Sequence, residues 1–447
     1  MSRSREGHVQ FRIQPGGHLT GDLRVPGDKS ISHRAVMLAA LAEGTTEVQG
    51  FLEGEDALAT LAALRAMGVP IRGPERGRLV IEGRGLHGLR PPLGPLYLGN
   101  SGTSMRLLCG LLAGQRFDST LTGDASLSRR PMQRVTAPLS RMGAQLETGE
   151  AGTAPLHIKG GQPLHGIHYE MPIASAQVKS CLLLAGLYAR GETCVIEPAP
   201  TRDHTERMLM AFGYELRCQD GCVCLSGQRR LHGVSLLTVP ADISSATFFL
   251  VGASIAPGSD LRLTEVGLNP TRTGAIVILR RMGADIDVLN ERTVAGEPVA
   301  DLRVRHAALH GTHITPDLVP AAIDEFPALF VAAACAEGET LLQGAEELRV
   351  KETDRITAMA AGLQALGIIV EPRSDGIRIV GGAPKGGRVR ALGDHRVAMA
   401  FAMAALRADA EIVIDDSRNV ATSFPGFVEL AAGAGLGIRS EVMDEQP

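Results

Sequence analysis

The sequence predicts an α/β protein built as two pseudo-symmetric domains of three repeats each, and three observations carry that prediction. The chain is 447 residues long, beyond the size at which one hydrophobic core keeps growing, so two domains of roughly 200 residues are expected. A helix-ending phrase, leucine followed by a small or sulfur-bearing residue and then glycine, recurs six times along the whole chain. Between its copies a second phrase recurs: an alanine- and leucine-rich helix, a turn and a strand.

The helix-ending phrase reads LRAMGVPI at Gly68, LSRMGAQLE at Gly143, LMAFGYEL at Gly213, LRRMGADID at Gly283, LQALGIIVE at Gly367 and a degenerate AAGAGLGI at Gly435, at intervals of 68 to 84 residues. Glycine there supplies the left-handed conformation that ends a helix before a strand. The second phrase reads HRAVMLAALAEGTTEVQG, AQVKSCLLLAGLYARGETCVIEP, ATFFLVGASIAPGSDLRLTEV, FPALFVAAACAEGETLLQG and HRVAMAFAMAALRADAEIVIDD. Its helix is apolar nearly all round and should be buried, whereas the helix of the first phrase carries charges on one face. Each unit therefore holds two helices and several short strands. The domain boundary is expected after the third unit, near TVPADISS (Thr238 to Ser245), with the stretch before Gly21 pairing into the second domain.

Basic residues number 45 against 49 acidic ones, and no polybasic run occurs, which argues against a nucleic-acid or membrane-surface protein. No apolar stretch is long enough to span a bilayer. The opening MSRSREGHVQFRI has two early arginines but no apolar signal region, so a cytoplasmic location without signal or transit peptide is expected. Of the seven cysteines, Cys109, Cys181, Cys194 and Cys335 sit in apolar runs as reduced core residues do, and no disulfide framework is expected. CQDGCVC (Cys218, Cys222, Cys224) has a metal-like look. However, Cys222 and Cys224 would share one face of a strand, no Cys/His pair follows at zinc-site spacing, and QDG reads as a hairpin turn, so no metal is expected.

The chemistry gathers just before the apolar helices, in GDKSISHR, GNSGTSMR, ASAQVK, ADISSA, AIDEFPA and GDHRVAMA. A helix start exposes unpaired N–H groups and the positive end of the dipole, so several such ends aimed at one cleft would make an anion trap. Taken singly, each stretch has a plain alternative. Lys29-Ser30 lacks the nucleotide loop's glycines, since Asp28 and Leu23 stand in their places; a capped helix start and an anion contact both stay open. LGNSGTSMR lets backbone approach a ligand at Gly99 and Gly102. SRRPMQR (Ser128 to Arg134) fits a solvated turn, and RVKETDR (Arg349 to Arg355) a salt-bridged face. Asp324-Glu325 and Asp394-His395-Arg396 stand where acids commonly cap helices.

In order across about 400 residues, PGDKSISHRA, GNSGT, RRPM, SAQVKS, RVKETDR and GDHRVAMA resemble the motif set of the 5-enolpyruvylshikimate-3-phosphate synthase family. GDKS, SAQVK (Ser175 to Lys179), RDHTE (Arg202 to Glu206) and NPTR (Asn269 to Arg272) further resemble its class II branch, whose members are often tolerant of glyphosate. The resemblance implies an α/β, inverse barrel-like fold of two domains, each with three βαβαββ units. Residues 21–240 would form the shikimate 3-phosphate side, residues 1–20 with 241–447 the second domain, and the active site would lie in the interdomain cleft. It implies transfer of the enolpyruvyl group of phosphoenolpyruvate to the 5-hydroxyl of shikimate 3-phosphate, on the route to chorismate and the aromatic amino acids. It also implies a monomer without metal or organic cofactor, with glyphosate as inhibitor.

Residue by residue, the resemblance makes Asp324, Glu352 and Lys29 catalytic. It places Lys29, Ser30, Arg34, Ser175, Gln177, Arg202, Asp324 and Lys351 on shikimate 3-phosphate, Ser175 and Arg202 at its phosphate. It places Lys29, Gly102, Arg130, Gln177, Arg355 and Arg396 on phosphoenolpyruvate, where arginine's planar fork suits carboxylate and phosphate. Ala176 and Thr422 stand where class I members carry a second serine and a late lysine, so one phosphoenolpyruvate contact is missing or replaced, as in class II. Gly102 stands where highly tolerant enzymes carry alanine, so strong glyphosate resistance is not expected. The rival UDP-N-acetylglucosamine enolpyruvyl transferases normally carry a cysteine on the loop that here reads DASLSRRPMQR, and no cysteine lies between Cys109 and Cys181. A non-catalytic anion-binding protein of the same fold would not need the intact acids and arginines.

Overall fold

The computed structural model describes residues 8–443. All six phrase glycines take the left-handed conformation, with φ between 79° and 116°, so each charged helix ends where the repeat predicts. The five quoted copies of the second phrase form the helices Lys29–Leu41, Ala176–Gly186, Ile243–Ile255, Phe326–Ala334 and His395–Ala404, and Gly102–Ala113 is the sixth of the set. Their side chains are buried on nearly every face, which is why they read as uniformly apolar. Five of the six starts are capped by a side chain accepting from a first-turn N–H: Asp28, Ser101, Ser175, Asp242 and Asp394. Glu325, before Phe326–Ala334, makes no such bond.

Each repeat closes into a four-stranded sheet. In one, Leu96–Tyr97 runs parallel to Ser119–Thr122, which is antiparallel to Leu156–Lys159, itself antiparallel to Gln145–Thr148. With the helices Gly102–Ala113 and Gln133–Arg141 between the strands, this is a βαβαββ unit. Period-two burial marks the inner faces: in Arg78–Glu82, Leu79 and Ile81 are fully buried while Arg78 and Glu82 are exposed.

Three sheets are completed from a distance. Leu236–Thr238 lies parallel to Thr45–Gln49, Thr20–Leu23 parallel to Asp260–Gly267, and His8–Ile13 sits between Ile412–Asp415 and Ile438–Met443. The chain accordingly falls into two compact units, residues 27–240 with 293–297, and the described residues before 27 with 241–292 and 298–443. The boundary expected at residue 21 therefore stands at 27, because Thr20–Leu23 is hydrogen-bonded into the sheet of Asp260–Gly267. Each unit has its own hydrophobic core, centred on its three buried helices.

The cysteine reading needs correction. Cys194 and Cys224 are disulfide-bonded, with Cα atoms 4.1 Å apart, because Cys194 faces Cys224 across the antiparallel pair Glu192–Ile196 and Cys222–Ser226. The hairpin turn at Asp220-Gly221 has positive φ at both residues, as QDG predicts. Among the described residues no helix is long and apolar enough to cross a membrane.

Candidate functional site

Two clusters of polar and charged side chains hold the predicted residues, one in each unit. In the unit of residues 27–240, Asp28 accepts from Ile31 N–H (2.9 Å) and starts the helix on which Lys29, Ser30 and Arg34 stand. Lys29 Nζ lies 3.2 Å from Asp56 Oδ2. Arg34, 4% exposed, donates from Nε to Thr205 Oγ1 (2.7 Å), from Nη1 to the Ser30 carbonyl (2.9 Å) and from Nη2 to Ser180 Oγ (2.7 Å). Burial pushes its pKa down to about 10, against the pull of Glu206 and Asp28 and with a push from Arg202; the guanidinium stays charged at neutral pH.

Gly102 opens the next buried helix, and two guanidinium groups converge on it: a Cβ there would lie 3.0 Å from Arg106 Nη1 and 3.0 Å from Arg130 Nη1. Arg130 is held by the Asn100 side-chain carbonyl, and Asn100 Nδ2 donates to Asp124 Oδ2 (2.7 Å). Arg106 Nη1 donates to Gln177 Oε1 (2.6 Å), and Gln177 Nε2 donates to Thr103 Oγ1 (3.0 Å). Ser175 caps the third buried helix. Arg202 lies just before the helix His204–Ala211, and Thr205 on that helix donates to Ser180 Oγ (2.7 Å). Beneath them Lys179, 1% exposed, pairs with Glu197 and, at 2.6 Å, with Glu206.

The second cluster turns on Arg355, 1% exposed and first residue of the helix Arg355–Ala365. Its Nε reaches Asp394 Oδ2 (2.8 Å), its Nη2 Glu352 Oε2 (2.6 Å) and its Nη1 Asp324 Oδ1 (3.3 Å). One planar fork thus sets the two candidate acids in fixed positions, and the carboxylates in turn hold the guanidinium above its usual pKa against the cost of burial. Asp394 also caps the helix carrying Arg396, accepting from Arg396 N–H (2.8 Å). Arg396 Nη1 donates to the Asp324 carbonyl (3.1 Å), and its Nη2 lies 3.9 Å from Asp324 Oδ2. Lys351 Nζ is 3.9 Å from Asp324 Oδ1. Burial holds the Lys351 ammonium below its usual range, opposed by Asp324.

Lys29, Ser30, Arg34, Gly102, Arg130, Ser175, Gln177 and Arg202 therefore belong to one unit, and Asp324, Lys351, Glu352, Arg355 and Arg396 to the other. Sequence reasoning missed Arg106, Asn100 and Asp124 as the partners of Gln177 and Arg130. Arg106 was open to detection, one helical turn beyond Gly102; Asp124 sits in a loop with no local signal. At the departure positions, Thr422 spends its hydroxyl on the Asn419 carbonyl (2.7 Å) and Ala176 opens the helix after Ser175. Neither brings a charge.

A family model described as EPSP synthase (3-phosphoshikimate 1-carboxyvinyltransferase) matches residues 13–430. A relative from Alkalilimnicola ehrlichii named 3-phosphoshikimate 1-carboxyvinyltransferase is 69% identical over 431 residues, 96% of each chain. The solved structure of an EPSP synthase from Acinetobacter baumannii superposes with a TM-score of 0.88 at 57% identity, covering 97% of this chain and 100% of that one. The enolpyruvyl transferase NikO from Streptomyces tendae, at 18% identity, has a TM-score of 0.79 over 98% of this chain and 99% of its own, a likeness of fold.

Proposed function

The chain belongs to the EPSP synthase family, and we propose that it transfers the enolpyruvyl group of phosphoenolpyruvate to the 5-hydroxyl of shikimate 3-phosphate, with release of phosphate. The family match and the identity of its relatives support an enzyme of the shikimate pathway, toward chorismate and the aromatic amino acids. The observation that carries the residue assignment is the pair Asp324 and Glu352, fixed by one buried arginine and flanked by Lys351 and Arg396.

The reaction needs an acid, a base and fixed positive charge. Glu352 protonates the methylene carbon of phosphoenolpyruvate, and the adjacent carbon becomes cation-like. Asp324 takes the proton of the 5-hydroxyl as its oxygen bonds to that carbon, giving a tetrahedral intermediate. Loss of one methyl proton and cleavage of the carbon–oxygen bond to phosphate then restore the double bond and release phosphate. Lys29 stands by the reacting hydroxyl. Arg130, Arg355 and Arg396, with Gly102 and Gln177, hold phosphoenolpyruvate; three of Arg355's five N–H donors face carboxylates, which leaves two for an anion. Ser30, Arg34, Ser175, Gln177, Arg202 and Lys351 hold shikimate 3-phosphate, and Arg34 meets it already oriented by Ser180 and Thr205. The enzyme is read as a cytoplasmic monomer.

Phosphate release from phosphoenolpyruvate, measured with shikimate 3-phosphate and separately with UDP-N-acetylglucosamine, tests the acceptor. Release with the first alone is expected; release with the sugar nucleotide alone, or with neither, overturns the reading. Asp324→Asn and Glu352→Gln should each lower turnover by about 10²-fold or more while calorimetry finds shikimate 3-phosphate binding nearly unchanged. Full turnover in both variants would remove these residues from the chemistry. Glyphosate should inhibit the same assay at sub-millimolar concentration, because Gly102 adds no methyl beside Arg130.

A further inference from the structure

Reactive side chains that none of the predicted site residues account for gather on one sheet of the first unit. The register sets His168 beside Cys194 and Cys194 opposite Cys224, so all three project from the same face, joined by Cys222 two residues before Cys224. The other face, with Thr193, Val195, Val223 and Leu225, is buried, so the cysteines share the opposite face, on which Cys194 is itself only 2% exposed. His168 is exposed and Cys222 half-buried.

Cys222 Sγ lies 3.6 Å from Cys224 Sγ. The sulfurs of Cys194, Cys222 and Cys224 all lie within 4.8 Å of one another, as do the ligand atoms of His168, Glu192 and Cys194. A tetrahedral zinc with bonds of about 2.3 Å separates its sulfur ligands by roughly 3.8 Å. The three sulfurs fit that polyhedron once the Cys194–Cys224 bond is opened, and His168 stands within 4.8 Å of Cys194 on the neighbouring strand, on the side away from Cys224.

We propose that Cys194, Cys222 and Cys224, with His168 as fourth ligand, form a thiolate site for a soft divalent ion such as zinc, closed by the Cys194–Cys224 disulfide and opened by its reduction. A dithiol reductant supplies two electrons and two protons, becomes a disulfide itself, and leaves Cys194 and Cys224 as thiols. Binding of the ion then releases three protons, one from each cysteine, while neutral His168 gives a nitrogen lone pair. The ion would enter beside the exposed His168.

The test uses the full chain, treated with a dithiol under native conditions, freed of reductant without air, and titrated with cadmium as an optical probe. The reduced protein should bind one equivalent with thiolate-to-cadmium charge-transfer absorption, and the oxidised protein should show none. Cys222→Ser should weaken binding by about 10-fold or more and dim the band, His168→Ala should weaken binding while keeping the band, and Cys218→Ser should change neither. Circular dichroism confirms that each variant is folded. A reduced protein without a saturable band, a band unchanged by Cys222→Ser, or equal binding by the oxidised form overturns the proposal.

Discussion

His33 and Lys179, buried in the same unit, meet the cost of burying a cation in opposite ways. Lys179 keeps its charge: burial opposes it, but Glu206 and Glu197 more than compensate and hold its pKa above the usual value. His33 gives its charge up. It is 0% exposed, its Nδ1 is 2.8 Å from Thr60 Oγ1, and burial, then Lys29, then Arg34 push its pKa down to about 3. A neutral imidazole beside the cations Lys29 and Arg34 avoids a third like charge. Because its folded pKa is depressed, His33 adds nothing adverse above its unfolded pKa of about 6.5, and stability is lost as pH falls from there toward about 3, by about 1.4 kcal/mol per pH unit. Urea midpoints at pH 7 and pH 5 should show the native chain losing about 2 kcal/mol more than His33→Gln; an equal loss would mean His33 is charged in the fold.

Two kinds of glycine stand inside helices of this chain, and the difference predicts opposite outcomes for one substitution. Gly110, inside Gly102–Ala113, would place a Cβ 2.2 Å from the Cys181 carbonyl oxygen on the neighbouring buried helix. Gly433, inside Phe427–Ala434, has nothing within 4 Å of that position. Alanine improves helix propensity at both by up to about 1 kcal/mol, but at Gly110 it must push two backbones apart, an overpacking cost of about 1–3 kcal/mol or more. Gly433→Ala should therefore raise the thermal midpoint and Gly110→Ala lower it, as calorimetry can measure. The helix-ending glycines are of a third sort, required by positive φ, and they were legible because capping is a local property. Gly110 was not, since its constraint comes from a helix 71 residues away.

At the scale of the molecule, the six sheets show how far local pattern reaches. Sheets such as Leu96–Tyr97 to Leu156–Lys159 are assembled from consecutive strands and follow from the repeat. The sheet around His8–Ile13 does not, because its central strand is hydrogen-bonded on both sides to the far end of the chain. Removing residues 1–13 would leave Ile412–Asp415 and Ile438–Met443 without their shared partner and uncover the core around Phe11 and Ile13, both buried. Limited proteolysis should then cut the region around residues 412–443 much faster than in the full chain, and equal cutting rates would show the strand to be dispensable. The repeat, the buried and charged helices, their glycine stops and the motifs that carry the family resemblance were legible along the chain, since each is written within one or two turns or strands. Only packing brings Arg355 to Asp324 and Glu352 together, Arg106 to Gln177, Thr20–Leu23 to the sheet of Asp260–Gly267, and Cys194 to Cys224. Pairing is a property of distance and burial, which residues widely separated along the chain acquire only when the sheets and helices between them have packed.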